Sequence, residues 1–228
     1  MAAAAAGDAV GGPLVSERTL LRFGKTTRWF HWTFALSFLA LATSGALLAL
    51  RGALALGPDA VARVVSVHLC AAAALCAGPL LVLLSGSTGE TLRDLLEPFR
   101  WARDDVRWLA RKPLEVFGRG DLPPAGKLNA GQKVNALASM FLTAGLAASG
   151  VWLWQRPGAL VAWFIHLALF VSWLPLFAGH LSLALLFPST RPALRGMLTG
   201  RVGREWARHH HAAWVGALEE AQGGDAPE

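Results

Sequence analysis

Residues 157–190 read PGALVAWFIHLALFVSWLPLFAGHLSLALLFPST, 34 residues without one charged side chain. A helix needs about 20 apolar residues to cross a hydrocarbon layer roughly 30 Å thick, so this stretch is long enough to span a membrane. It carries two histidines, His166 and His180, fourteen positions apart. At about 100° per residue, fourteen steps fall roughly 40° short of four full turns, which puts both rings on one helix face, about 21 Å apart along the axis. They cannot share one metal ion, so each must find its partner on another element.

Three more windows lack charge altogether: residues 29–50, 64–89 and 134–155, of 22, 26 and 22 residues. The whole chain of 228 residues is 54% apolar and 16% charged, with a mean hydropathy of +0.42. A soluble domain carries about 25% charge, so this composition points to a membrane and excludes disorder. The expected fold is an all-α membrane protein, a bundle of four transmembrane helices. Residues 1–17 and 217–228 read as flexible arms around a single domain, 18–216. Cys70 and Cys76 lie in the second window without a CxxC spacing, which argues against zinc-ribbon, thioredoxin-like and c-type haem readings and leaves two small buried side chains. The run Ala2 to Ala6, with no basic residue before it and Asp8 soon after, does not read as a signal peptide.

The net charge of +6 and pI near 10.3 are a matter of topology. Of 21 cationic side chains, 18 lie in the arm before the first window, the long segment between the second and third, and the tail after the fourth. Arg51, Arg63 and Arg156 alone sit on the other side. The positive-inside rule then places both termini and the long segment in the cytoplasm, with no nucleic-acid footprint to explain. Within that segment, residues 90–112 interleave Leu92, Leu95, Leu96, Phe99, Val106 and Leu109 with Arg and Asp, and Trp101 and Trp108 fall at the edge of the stripe. A helix broken at Pro98 and lying on the membrane surface suits this pattern; a face for a cytoplasmic partner is the alternative. Pro79 and Pro175 should kink their spans. Ser44, Gly45, Gly78, Gly145, Gly150 and Gly179 allow close backbone approach, either for helix packing or for a flat cofactor.

Ionisable side chains at membrane depth are functional candidates. Four of the seven histidines fall in the windows: His31, His68, His166 and His180. The direction in which each span crosses sorts them into an outer pair, His68 with His166, and an inner pair, His31 with His180. Zinc normally takes three or four protein ligands, whereas iron already held by a porphyrin lacks only two axial ones. Two b-type haems stacked across the bilayer fit this count, and with both axial positions filled they would transfer electrons rather than make bonds at iron. A proton or metal transporter built on membrane histidines is the reading from another class, but the spans contain no Asp or Glu. Arg28 serves either as a positive-inside anchor or as a contact for a haem propionate. Lacking cysteine clusters and a nucleotide-binding glycine motif, the chain needs an electron donor on another subunit.

Several motifs together resemble the gamma subunit of membrane-bound formate dehydrogenases, the cytochrome b556 family. They are Arg28-Trp-Phe-His31-Trp32, Leu128-Asn129-Ala-Gly131-Gln132-Lys133, the His166 to His180 spacing, and Gly196-Met197-Leu-Thr-Gly200-Arg-Val202 followed by Trp206-Ala207-Arg208, His210-His211 and Trp214. The resemblance covers about residues 20–216. The histidine pattern alone also suits cytochrome b subunits of nickel-iron hydrogenases or thiosulfate reductases. The resemblance implies two haems b ligated by His31, His68, His166 and His180. It implies electrons arriving from a molybdenum or tungsten alpha subunit through an iron–sulfur beta subunit, and menaquinone or ubiquinone reduced at a site with Asn129, Gly131 and Gln132. Asn129 and Gln132 would also serve as caps for the third span. Ala212 stands where the family commonly has proline, and the Ala-rich N-terminus is longer than usual.

Overall fold

The computed structural model describes residues 18–223. The order of elements is β1 (Thr19–Leu21), α1 (Lys25–Ala49), α2 (Pro58–Ser85), α3 (Thr88–Leu96), a 3-10 turn (Glu97–Phe99), α4 (Arg103–Val116), α5 (Ala130–Gln155), α6 (Leu160–Leu185), α7 (Pro192–Thr199), β2 (Arg201–Gly203), α8 (Arg204–His210) and α9 (Ala212–Gly223). The four long helices α1, α2, α5 and α6 contain 25 to 28 residues each and are apolar enough to cross a membrane.

Local signals set their ends. Pro58 opens α2, where its missing N–H would have no partner anyway, and Asp59 in the first turn faces the positive end of the helix dipole. The link from α5 to α6 turns through Gly158 at φ +86°, a left-handed conformation that a Cβ would strain. Pro79 and Pro175 sit inside uninterrupted helices.

Close helix packing lies within two hairpins, α1 on α2 and α5 on α6. Gly78 and Gly145 serve this packing: a Cβ on Gly78 would come within 2.5 Å of Thr33, and one on Gly145 within 3.0 Å of Leu169. Across the hairpins, Phe38 of α1 stacks on Trp173 of α6 with ring centroids 3.8 Å apart, and Phe177 stands 5.9 Å from Phe38.

All charge-rich elements gather at the end where α1 starts and α6 finishes. There β1 and β2 pair antiparallel, with Leu20 opposite Val202, a three-residue ribbon in an otherwise helical chain. Leu20, Val202, Ala207 and Val215 form a packed core, flanked by Trp206, Trp214 and Leu218. Burying Leu20, Val202 and Val215 contributes roughly 1.5–3 kcal/mol apiece. Gly200, at φ +85°, ends α7 and its carbonyl accepts from the amides of Arg22 and Phe23, 2.7 and 3.2 Å away; a Cβ there would meet the Phe23 carbonyl at 2.7 Å. The segment 90–112 divides at Pro98 into α3 and α4 as its sequence suggests. Lys133 of α5 docks α4 by pairing with Asp105 at 2.9 Å and donating to the Arg100 carbonyl at 2.7 Å.

Two expectations are corrected. Residues 217–223, read as part of a loose tail, complete α9, because Leu218 packs on the small core and Glu219 pairs with Arg204 and Arg208. Cys70 and Cys76 are exposed rather than buried. The arm 1–17 and residues 224–228 lie outside the described residues.

Candidate functional site

The four span histidines meet in two pairs. His31 and His180 have ring centroids 6.2 Å apart with planes at 55°, and His68 and His166 have centroids 6.3 Å apart with planes at 70°. An atom gripped by two imidazole nitrogens needs two metal–nitrogen bonds of about 2 Å, plus about 1.1 Å from each nitrogen to its ring centre, or roughly 6.3 Å in all. Both pairs match that span and are too far apart for a direct imidazole–imidazole hydrogen bond. Among the described residues no group of three or more His, Cys, Asp and Glu side chains is placed to hold a bare metal ion. Each level therefore offers two nitrogen ligands and no more, which suits a metal whose other positions are filled by a ring.

The surroundings leave room for such a ring. A Cβ on Gly45 would touch His68 Cε1 at 3.4 Å, and one on Gly150 would touch His166 Cε1 at the same distance. Gly179, next to His180, has nothing within 4 Å of its would-be Cβ. Of the small residues, then, Gly78 and Gly145 belong to helix packing, whereas Gly45 and Gly150 clear space for the histidine rings. Phe38 and Trp173, 4% and 6% exposed, fill the layer between the levels. The buried indole nitrogen of Trp173 and the Thr143 hydroxyl lack a partner among the described residues.

Two serines, which the sequence marks only by their size, touch the pair of His68 and His166. Ser44 Oγ lies 2.8 Å from His68 Nδ1, and Ser149 Oγ lies 2.9 Å from His166 Nδ1. The repeated Ser-Gly at 44–45 and 149–150, each late in the first helix of a hairpin, was the available signal.

Asn129 and Gln132 cap α5. Asn129 Oδ1 accepts from the Gln132 amide at 2.9 Å, and Gln132 Oε1 accepts from the Asn129 amide at 3.0 Å, a reciprocal box at the helix start. Their side-chain oxygens are thus engaged, and the two amide NH2 groups are what remains to meet a ligand. Gly131 lies under Trp108 of α4, where a Cβ would come within 3.4 Å of the indole ring.

The other motif residues bind one another. Arg28 Nη1 donates to the Leu198 carbonyl at 2.6 Å and Trp32 Nε1 to the Met197 carbonyl at 3.0 Å, so the opening of α1 fastens the C-terminal end of α7. His211, 1% exposed, receives a hydrogen bond at Nε2 from Arg22 at 3.0 Å and donates from Nδ1 to the Gly126 carbonyl at 2.8 Å. Burial first, and then the Arg22 charge, push its pKa down from 6.5 to about 3. Burial likewise lowers Arg22 to about 10. His210 packs against Trp206 with ring centroids 5.0 Å apart and planes tilted by 33°. These tail histidines are structural and stand apart from the two pairs.

Comparison with known proteins agrees with this architecture. The cytochrome b556(Fdn) subunit of the nitrate-inducible formate dehydrogenase of Escherichia coli (strain K12) is 28% identical over 130 residues, covering 53% of this chain and 58% of the relative. The same subunits of Escherichia coli O157:H7 and Shigella flexneri match to the same extent. The chain thus spans little more than half the length of the curated relatives it matches. The family described as prokaryotic cytochrome b561 matches residues 22–200. Because that match runs from before the first span to beyond the last, the chain belongs to the prokaryotic cytochrome b561 family, and the cofactor this family implies is haem b.

Proposed function

We propose that this chain is the dihaem cytochrome b subunit of a formate dehydrogenase, carrying electrons across a bacterial inner membrane to quinone. The observation that carries the reading is the pair of histidine couples, each at the spacing that two axial ligands of one iron require. His31 with His180 would hold the inner haem and His68 with His166 the outer one. When bound, haem supplies one-electron exchange at potentials tuned by its ligands and surroundings.

The chain's own residues supply the rest. The spans hold the two levels apart with Phe38 and Trp173 between them. Both termini and α3–α4 face the cytoplasm, in line with the positive-inside rule. The exposed side chains of Val106, Leu109, Leu114, Val116 and Phe117 then rest α4 on the membrane surface. Asn129 and Gln132, at the α5 N-terminus and at the same end of the bundle as His31 and His180, present amide donors to a quinone carbonyl, beside Gly131 and Trp108. Electrons enter from a periplasmic iron–sulfur subunit that receives them from a molybdenum or tungsten subunit oxidising formate. The similarity to the cytochrome b556(Fdn) subunit supports this choice of partners.

The test is the chain purified with its partners. Two haems b per chain, low-spin bis-histidine spectra and reduction by formate with quinol formed are expected. A folded chain without haem overturns the reading; two haems reduced by hydrogen or thiosulfate-linked donors but not by formate overturn the choice of partner.

A further inference from the structure

The outer histidines are held by serines in two contacts that copy each other, and the direction of the hydrogen bonds fixes which histidine nitrogen faces inward. Each serine hydroxyl has one proton, and it is committed to its own helix: Ser44 donates to the Ala40 carbonyl at 2.7 Å, Ser149 to the Gly145 carbonyl at 2.8 Å, with a second carbonyl 3.2 Å from each. The oxygen is then left as an acceptor. His68 Nδ1, at 2.8 Å, and His166 Nδ1, at 2.9 Å, must be the donors. That places the proton on Nδ1 and the lone pair on Nε2. Both serines are nearly enclosed, 3% and 4% exposed. The glycine after each keeps the neighbouring space bare for the same ring. No comparable hydroxyl holds His31 or His180 among the described residues.

We propose that Ser44 and Ser149 are positioning residues that set the tautomer and ring plane of His68 and His166 and lower the reduction potential of the outer haem below that of the inner one. The inference rests on the reading of both couples as haem ligands. An Nδ1–H that donates makes the imidazole a more basic ligand, which favours ferric over ferrous iron. Because the serine hydroxyl is itself polarised by donating to a carbonyl, its acceptor oxygen is strengthened. Two such ligands on one iron add their effects, and the inner iron has neither. The resulting order sends an electron from the outer to the inner level, the direction a periplasmic donor and a cytoplasmic-side quinone site require.

The experiment is a potentiometric titration of the purified complex, followed by haem absorbance, for wild type, Ser44→Ala, Ser149→Ala, Ser44→Thr and Ser149→Thr. Haem content is measured first, so that a wild type without two haems overturns the ligand reading, and this proposal with it, before any potential is compared. Each alanine variant is expected to keep two haems and to raise the lower-potential component by about tenfold in ferrous preference, ~59 mV for one electron, leaving the other component unmoved. Threonine keeps the hydroxyl and its bond to the preceding turn, and should titrate as wild type. Loss of one haem in alanine but not in threonine supports the proposal. Wild-type potentials in both alanine variants, or equal shifts or equal haem loss in alanine and threonine, overturn it.

Discussion

The membrane bundle and the cap at its basic end are held together in opposite ways. In the most apolar window of each span only 6 to 11% of the residues are buried inside the protein. At the basic end Leu20, Val202, Ala207 and Val215 are at most 4% exposed, and Arg22, Thr91 and His211 are enclosed with them. Apolar sequence in the spans therefore does not mean a protein core: lipid takes the outer faces, and few side chains join the hairpins. The cap, with less apolar sequence, is packed like a soluble domain. Under the proposed reading, the cohesion of the bundle depends on the haems that the histidine couples would hold, while the cap depends on its own side chains.

The largest expected effect breaks the bundle and spares the cap. His166→Ala or His180→Ala should reduce the haem content from two to one per chain and bring formate-driven quinone reduction to background. Proteolysis should then cut more readily between the hairpins, while α8 and α9 keep their protection. Haem content counted per chain checks the first part; retention of two haems in either variant defeats the pairing.

The complementary break is Val202→Asp, which puts an unpaired carboxylate at a side chain 1% exposed. It should cost the cap about 4 kcal/mol and expose the tail to protease. Spectra of the bundle should be unchanged. A coincident loss of haem would show that the two regions do not stand independently.

How much of this was legible in sequence follows the same division. The spans and their four histidines are dictated by uniform polarity over 20 residues or more, a signal that no tertiary contact overrides. The split at Pro98 was likewise visible, since proline forces it. The β1–β2 ribbon was not, because Thr19-Leu20-Leu21 and Arg201-Val202-Gly203 are too short for periodicity and lie 180 residues apart in the chain. Neither were α7 to α9 or the Arg22–His211 contact, which exist through packing between distant segments. The serine contacts hid behind residue size: Ser44 and Ser149 read as small, and only the geometry shows their oxygens on the histidine rings.

A milder probe of the cap is acid. His211 is held in the folded state at about 3, against 6.5 when free, so its contribution to stability is fully present above pH 6.5 and is lost as pH falls from there towards 3. Burial and the charges of His209, Lys112 and Arg22 lower His210 as well, in the same sense. By pH 5 the cap should lose about 2 kcal/mol. Emission from Trp206 and Trp214 and hydrogen exchange in α8 and α9 should report loosening between pH 6.5 and 5, before the haem spectra respond. His211→Gln, which carries no charge at any pH, should flatten that transition; an unchanged transition would assign it to another group.

The smallest effect on stability separates two roles at the boundary of the regions. Asn129→Ala removes the side-chain acceptor that receives the Gln132 amide, and loss of such a cap costs about 1 kcal/mol, a shift of a few degrees in melting. Asn129→Asp keeps the acceptor and removes the NH2 donor. If the amide nitrogen meets quinone, the aspartate variant melts like wild type yet raises the KM for quinone at least as much as alanine does. If Asn129 serves α5 alone, the aspartate variant is silent in both measurements and the alanine variant affects quinone reduction only in proportion to its loss of folded protein. The pair of substitutions thus divides capping from recognition because the two duties fall on different atoms of one side chain: the oxygen is committed to the helix, and the nitrogen is free to serve the membrane.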